Sequence, residues 1–357
     1  MITRRKSLLV LGASAAALRP HGAAAQQGGG LPGERNAGLA LPARTIPVPK
    51  SVSPEAQAVL ARPMPAELKS PDPADKAGWE TYVRERDQAL TQALAPRGAP
   101  ETLPRLTEQA LSRSMLYELE PRNISEPARS KALFFLHGGG YTNGGGIAAA
   151  YAAYGIAQRA GLRTFSSDYR MPPAWPFPAA LDDAVEAYRQ VVGRYGAQNV
   201  AVYGPSAGGG LAAACLLKAR AVGLPLPAAC VLHSPEVDLT ESGDSFATNL
   251  GLDPLLRTSL RNAIALYAGG HDLRDPYLSP LFGDFTKGFP PTFLASGTRD
   301  LFLSNTVLMH AALRRADVRA DLYIGEAMGH GGFFGAAPED QALADEQVKF
   351  LREHLGF

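Results

Sequence analysis

The chain has 357 residues, enough to bury a large core, and its 46% hydrophobic and 19% charged side chains describe an ordinary globular protein. With 35 basic and 34 acidic residues the net charge is +1, so nothing points to a polyanionic partner and nucleic acid is excluded as a ligand class. Two cysteines, Cys215 and Cys230, lack metal-ligand spacing and any His/Cys cluster around them; they read as small buried side chains, although an oxidising compartment would permit a bridge.

In chain order, residues 1–25 have the layout of an export signal. Paired arginines Arg4-Arg5 precede a short apolar stretch, Leu8 to Leu18, and Ala23-Ala24-Ala25 offers a small-residue cleavage site. The arginine pair resembles a twin-arginine signal, and the expected location is periplasmic or secreted. The apolar stretch is too short to span a bilayer, and no later segment is long enough either. Residues 26–50 are rich in glycine and proline and read as a linker. Residues 51–105 form an amino-terminal helical segment: Ser53-Pro54 caps one helix, and a second covers Ala74 to Leu94 with Trp79, Val83, Leu90 and Leu94 on one side.

From residue 106 onward strands and helices alternate. A hairpin is expected over Leu106 to Leu119, and Ala132 to Leu136 (ALFFL) is a buried strand. His137 to Gly146, HGGGYTNGGG, leads into an alanine-rich helix to Ala160. Further strands are expected at Leu162 to Ser167, Val200 to Tyr203, Ala228 to Leu232, Thr292 to Ser296 and Leu322 to Ile324. Leu181 to Tyr195 is helical, with Asp182 and Asp183 placed in its first turn, where the helix dipole favours negative charge. The alternation predicts an α/β fold, a mostly parallel sheet with helices on both faces. An insertion at about 240–285, with a helix over Leu255 to Ala268, exceeds what a crossover needs and is expected at the carboxyl edge of the sheet as a lid.

Gly204-Pro205-Ser206-Ala207-Gly208 lies between an apolar strand and a run of helix formers. This is the G-x-S-x-G pattern, whose mechanics need strand, sharp turn and helix, with small neighbours crowding the serine. Ser206 is the candidate nucleophile. A phosphate-binding loop is the competing reading, but the required Gly-Lys-Ser/Thr ending is absent. A serine hydroxyl needs a base, and the base needs an orienting acid. His330, in Met328-Gly329-His330-Gly331-Gly332-Phe333, follows the last strand, whereas His233, His271 and His310 have no context placing them at that edge. Asp300 follows the strand Thr292 to Ser296 and is the candidate acid; it could equally cap the next helix, and Asp238 is the runner-up. Oxyanion donors are expected from the backbone of Ala207 and of the glycine loop, Gly139 and Gly140 first and Gly138 next.

These residues together resemble the hormone-sensitive-lipase-like (family IV) esterases of the α/β-hydrolase fold. The resemblance rests on His137-Gly138-Gly139-Gly140, on DYRMPPAWPFPAALDDA from Asp168, on GPSAGG from Gly204, on SPEVDLT from Ser234, and on Asp300 and His330-Gly331. It covers about Ala132 to Phe357. It implies carboxylic ester hydrolysis through an acyl-enzyme on Ser206, without cofactor or metal, and a cap built from the amino-terminal helices and part of the insertion. Two positions depart from the family pattern: Pro205 stands where aspartate is frequent, and two glycines rather than one separate His330 from Phe333. The expected partner is a small ester molecule. Amide, lactone or polyester hydrolysis and non-catalytic ligand binding are the rival functions, and the oligomeric state is left open, with a homodimer allowed.

Overall fold

The structure is a computed structural model that describes residues 39, 41–64, 69–99 and 101–357. The expected export signal, residues 1–25, and residues 26–38 and 40 of the expected linker lie outside the described residues. The chain divides into two units, residues 1–46 and 47–357. The described residues of the first carry no helix or strand.

The second unit opens with α1 (Pro54–Leu60), whose first turn is capped by the Ser53 hydroxyl accepting from Ala56 N–H, with proline where no amide donor is needed. Ser53 also donates its N–H and hydroxyl to Glu339, fastening this helix to the far end of the chain. Helix α2 (Lys76–Leu94) buries Trp79 completely. Hairpin β1 (Arg105–Ala110) and β2 (Met115–Glu120) comes next, then β3 (Ala132–Leu136), buried at every residue. The remaining order is α3 (Ile147–Ala160), β4 (Arg163–Asp168), α4 (Ala179–Tyr195), β5 (Val200–Pro205), α5 (Ala207–Ala221) and β6 (Ala229–His233). Short α6 (Ser245–Thr248) and α7 (Arg261–Ala268) occupy the insertion, followed by β7 (Thr292–Gly297), α8 (Leu303–Arg315), β8 (Ala320–Gly325) and α9 (Pro338–Leu355).

The eight strands form one sheet in the order β1-β2-β4-β3-β5-β6-β7-β8, antiparallel up to β4 and parallel beyond it. Side chains alternate across it: Val200 and Val202 join the core under α4, α5 and α8, while Ala201 and Tyr203 join the core under α1, α3 and α9. This is the α/β-hydrolase architecture. Cys215 on α5 and Cys230 on β6 are both free and buried in the same core, where burial pushes both thiols far up. Among the described residues no helix is long and apolar enough to cross a membrane.

Two expectations need correction. Leu255 to Leu260 is not helical, and α7 begins only at Arg261. Asp253 accepts the N–H groups of Leu255 and Leu256, and Glu241 accepts that of Leu260, so side chains take the amides a helix would have used. Asp183 does not serve the dipole of α4. It is buried beyond the first turn and holds Arg170 through both oxygens, at 2.8 Å from Nε and 2.8 Å from Nη2.

Candidate active site

The turn from β5 to α5 forces Ser206 into φ 56°, a region that costs a non-glycine residue energy and persists only where neighbours hold it. Here its N–H donates to the His233 carbonyl at 2.9 Å and its carbonyl accepts from Glu236 N–H at 3.0 Å. The glycines around it answer a packing requirement. A Cβ on Gly208 would lie 2.0 Å from the Leu136 carbonyl oxygen, so only glycine lets α5 start this close to the end of β3. The serine therefore stands at the carboxyl edge of the sheet, at the head of α5.

Asp300 follows β7 and His330 follows β8, at the same edge. His330 Nε2 lies 2.9 Å from Ser206 Oγ, and His330 Nδ1 lies 3.2 Å from Asp300 Oδ1. The imidazole is buried and the carboxylate completely so. Burial alone would raise the Asp300 pKa, but the His330 imidazole, and hydrogen bonds from His330 and Ser296, outweigh it and hold the carboxyl at about 2. For His330, burial favours the neutral ring, yet Asp300 first and Asp253 after it raise its pKa above the ordinary histidine value. Asp300 also accepts the Phe302 N–H at 2.8 Å, a bond within the turn before α8; the N-cap of that helix is Phe302 and no side chain caps it, so the capping alternative does not hold. Asp238 is buried elsewhere, taken up by Thr240 and Ser242.

Gly138, Gly139 and Gly140 line a cavity of about 260 Å³ together with Ser206 and His330. Ala207, buried, is the first residue of α5. The glycine loop is held from several sides. Gly139 carbonyl oxygen accepts from Asn143 N–H at 3.1 Å, and with φ at 125° a Cβ on Gly139 would come within 1.9 Å of the Asn143 carbonyl oxygen. Gly144 N–H donates to Asp87 of α2 at 2.6 Å. The Tyr169 hydroxyl donates to the His137 carbonyl at 2.7 Å, and its ring stacks on that of His137 at 4.1 Å. Burial lowers the His137 pKa to about 4, so the ring is neutral and its Nδ1–H donates to the Gly138 carbonyl at 2.8 Å.

The rest of the cavity is mostly apolar. From α2, Tyr82, Arg86, Leu90 and Leu94 contribute a strip at four-residue spacing, a face partly different from the one the sequence predicts, since Val83 is not in it. Leu255, Leu256 and Leu260 of the insertion form another wall, and Ala148 and Ala152 of α3 a third. Among the described residues, no group of three or more His, Cys, Asp or Glu side chains is placed to hold a metal.

Sequence reasoning missed two residues here. Asp253, fully buried, accepts the His330 N–H at 2.7 Å and the Leu301 N–H at 3.3 Å through Oδ2 while its other oxygen holds Leu255 and Leu256. Its only signal in the sequence is an aspartate before a proline. His233, set aside as having no place at the sheet edge, stands at the end of β6 beside Ser206. Burial first, and repulsion from His330 second, lower its pKa to about 4, so this ring is neutral.

A family model described as the alpha/beta hydrolase fold matches residues 133–334. An acetyl-hydrolase of Streptomyces hygroscopicus is 39% identical over 237 residues, 64% of this chain and 79% of that protein. Among solved structures, the esterase E25 is 33% identical with a TM-score of 0.80, covering 90% of this chain and all of its own. An esterase from the bacterial hormone-sensitive lipase family is 28% identical with a TM-score of 0.69, covering 85% of this chain and 99% of its own. The family match spans the parallel strands, the serine elbow and the loops bearing Asp300 and His330, and on these likenesses the chain belongs to the α/β-hydrolase family and, within it, to the hormone-sensitive-lipase-like esterases.

Proposed function

We propose that the protein hydrolyses small carboxylic esters through an acyl-enzyme on Ser206. One observation carries the reading: a serine hydroxyl 2.9 Å from an imidazole whose other nitrogen faces a buried carboxylate at 3.2 Å. His330 takes the Ser206 proton as Oγ attacks the ester carbonyl, and the new oxyanion meets N–H groups of Gly139, Gly140 and Ala207, with Gly138 beside them. Collapse expels the alcohol, which leaves with the proton held on His330. Water then gives a proton to the same imidazole and attacks the acyl carbonyl, releasing the acid and restoring Ser206. Asp300 keeps the Nδ1–H tautomer and stabilises the imidazolium while it exists. The cavity volume, about 260 Å³, lies below the usual range for drug-sized ligands and favours short acyl groups. The acetyl-hydrolase relative supports the same size class.

The test is turnover of p-nitrophenyl butyrate by Ser206→Ala. Loss of about four to six orders of magnitude in kcat is expected if the three side chains act as a unit. A variant keeping most of its activity would refute the assignment of Ser206.

A further inference from the structure

The strip of α2 that walls the cavity contains one charged residue. Arg86 is half-buried, and its Nε is shielded from solvent with no hydrogen-bond partner among the described residues. Its guanidinium makes no ion pair there either; its recorded contact is with the Tyr82 ring, whose centroid lies 5.7 Å from the guanidinium carbon. That contact engages the face of the guanidinium and leaves its buried Nε–H unmet, while the terminal N–H groups have no protein acceptor among the described residues. Of the two acids beside it on the same helix, Glu85 is exposed and makes no ion pair with it, and Asp87 is turned to Gly144 N–H. No aspartate or glutamate lines the cavity, so with His330 neutral in its working state the cavity carries an unbalanced positive charge.

A guanidinium cannot discharge itself by losing a proton, and a donor such as Nε–H left unmet in a partly desolvated wall is costly. The chemistry that satisfies them is a planar anion taken in two-pronged fashion. Around this one charge leucines and alanines alternate with uncharged polar side chains such as Thr142 and Ser259, which suits a short carbon chain. We propose that Arg86 recognises a carboxylate on the substrate, so that the preferred substrates are small esters bearing a free carboxylate at a distance from the scissile bond. This rests on the ester-hydrolase reading above and narrows it to a substrate class.

The carboxylate can sit on either side of the ester, and two arms separate the cases. Monoethyl glutarate places it on the acyl side and 4-acetoxybutanoate on the alcohol side, each compared with its neutral primary amide. The readout is the ratio of kcat/KM for charged over neutral ester, followed by pH-stat. In at least one arm the wild-type ratio should exceed about tenfold at low salt, as a charge-assisted hydrogen bond provides. It should shrink in about 0.5 M sodium chloride, where a partly exposed pair is screened. Arg86→Gln should bring the ratio to unity or below, and Arg86→Lys, which keeps the charge without the fork, should fall between. Arg84→Gln removes an exposed charge from the same helix and should leave the ratio alone. A wild-type ratio at or below one in both arms, or a ratio that survives Arg86→Gln, overturns the proposal while leaving ester hydrolysis standing. Should Arg86→Gln fail to fold, the wild-type ratio and its salt dependence decide alone. Absence of turnover on every ester, neutral ones and p-nitrophenyl butyrate included, would overturn both readings.

Discussion

At the level of single residues, His330, the proposed base, is held by two carboxylates rather than one. Asp300 faces the ring of His330, and Asp253 grips its backbone N–H from the insertion. Both stabilise the imidazolium and so raise the pKa of His330. The base acts only when neutral, so kcat/KM should fall as pH drops through a midpoint above the ordinary value of about 6.5. Asp253→Asn removes one of the two negative neighbours, and the acid limb of that profile should move to lower pH. Because an amide cannot accept at both ends, one pair of N–H groups also loses its partner, at a cost of about 1–3 kcal/mol in stability. A purely structural role would lower stability and leave the limb where it was, so a pH–rate profile of the variant distinguishes the two. Asp253 was illegible in the sequence for a physical reason: it acts through backbone amides far away in the chain, and no residue type at the receiving end marks that bond. Ser206, Asp300 and His330 were legible because each sits where a strand ends and glycines follow or precede, a pattern set by local chain geometry.

At the level of elements, the glycines separate those that close packing demands from those it does not. Gly208 lets α5 begin against the Leu136 and His137 carbonyls, which a Cβ would meet at 2.0 and 2.4 Å. Gly208→Ala should therefore push α5 off β3, lowering stability by more than about 4 kcal/mol or preventing folding, as judged by urea denaturation. Gly155, inside α3, has nothing within 4 Å of an added Cβ. There Gly155→Ala removes only unfolded-state freedom and should stabilise by about 0.5–1 kcal/mol. Ala152, nearly one turn earlier on α3, walls the cavity. Ala152→Leu should fill part of it, so that p-nitrophenyl hexanoate loses more kcat/KM than the acetate does. The helices and strands of the sheet were readable from hydrophobic period because burial dictates them. The insertion was not, since Leu255, Leu256 and Leu260 at helix-like spacing face the cavity, and Asp253 and Glu241 take up the amides of all three.

At the level of the whole molecule, buried titratable groups give stability a pH dependence of its own, separate from that of the reaction. His137 and His233 titrate at about 4 in the folded protein because burial disfavours their charged forms. Their depressed values mean that the unfolded chain takes up protons first, so each should withdraw roughly 3 kcal/mol of stability as pH falls from about 6.5 to 4. Glu236 has the opposite sign. Burial, then repulsion from Glu241, raises its pKa to about 8, and its Oε2 has no hydrogen-bond partner among the described residues. Below about 4.5 it is protonated in both states. As pH rises from there to 8 the unfolded chain ionises and the folded one does not, which should remove on the order of 4 kcal/mol. The two trends leave a maximum near neutrality, with Glu236 and, through its raised pKa, His330 contributing to the alkaline side. Glu236→Gln keeps the shape and removes the proton. Relative to wild type, its urea midpoint should therefore climb steadily between about pH 5 and pH 8 and level off beyond. If the difference between the two proteins stays constant across that range, Glu236 ionises freely in the fold and the buried, neutral state assigned to it is wrong.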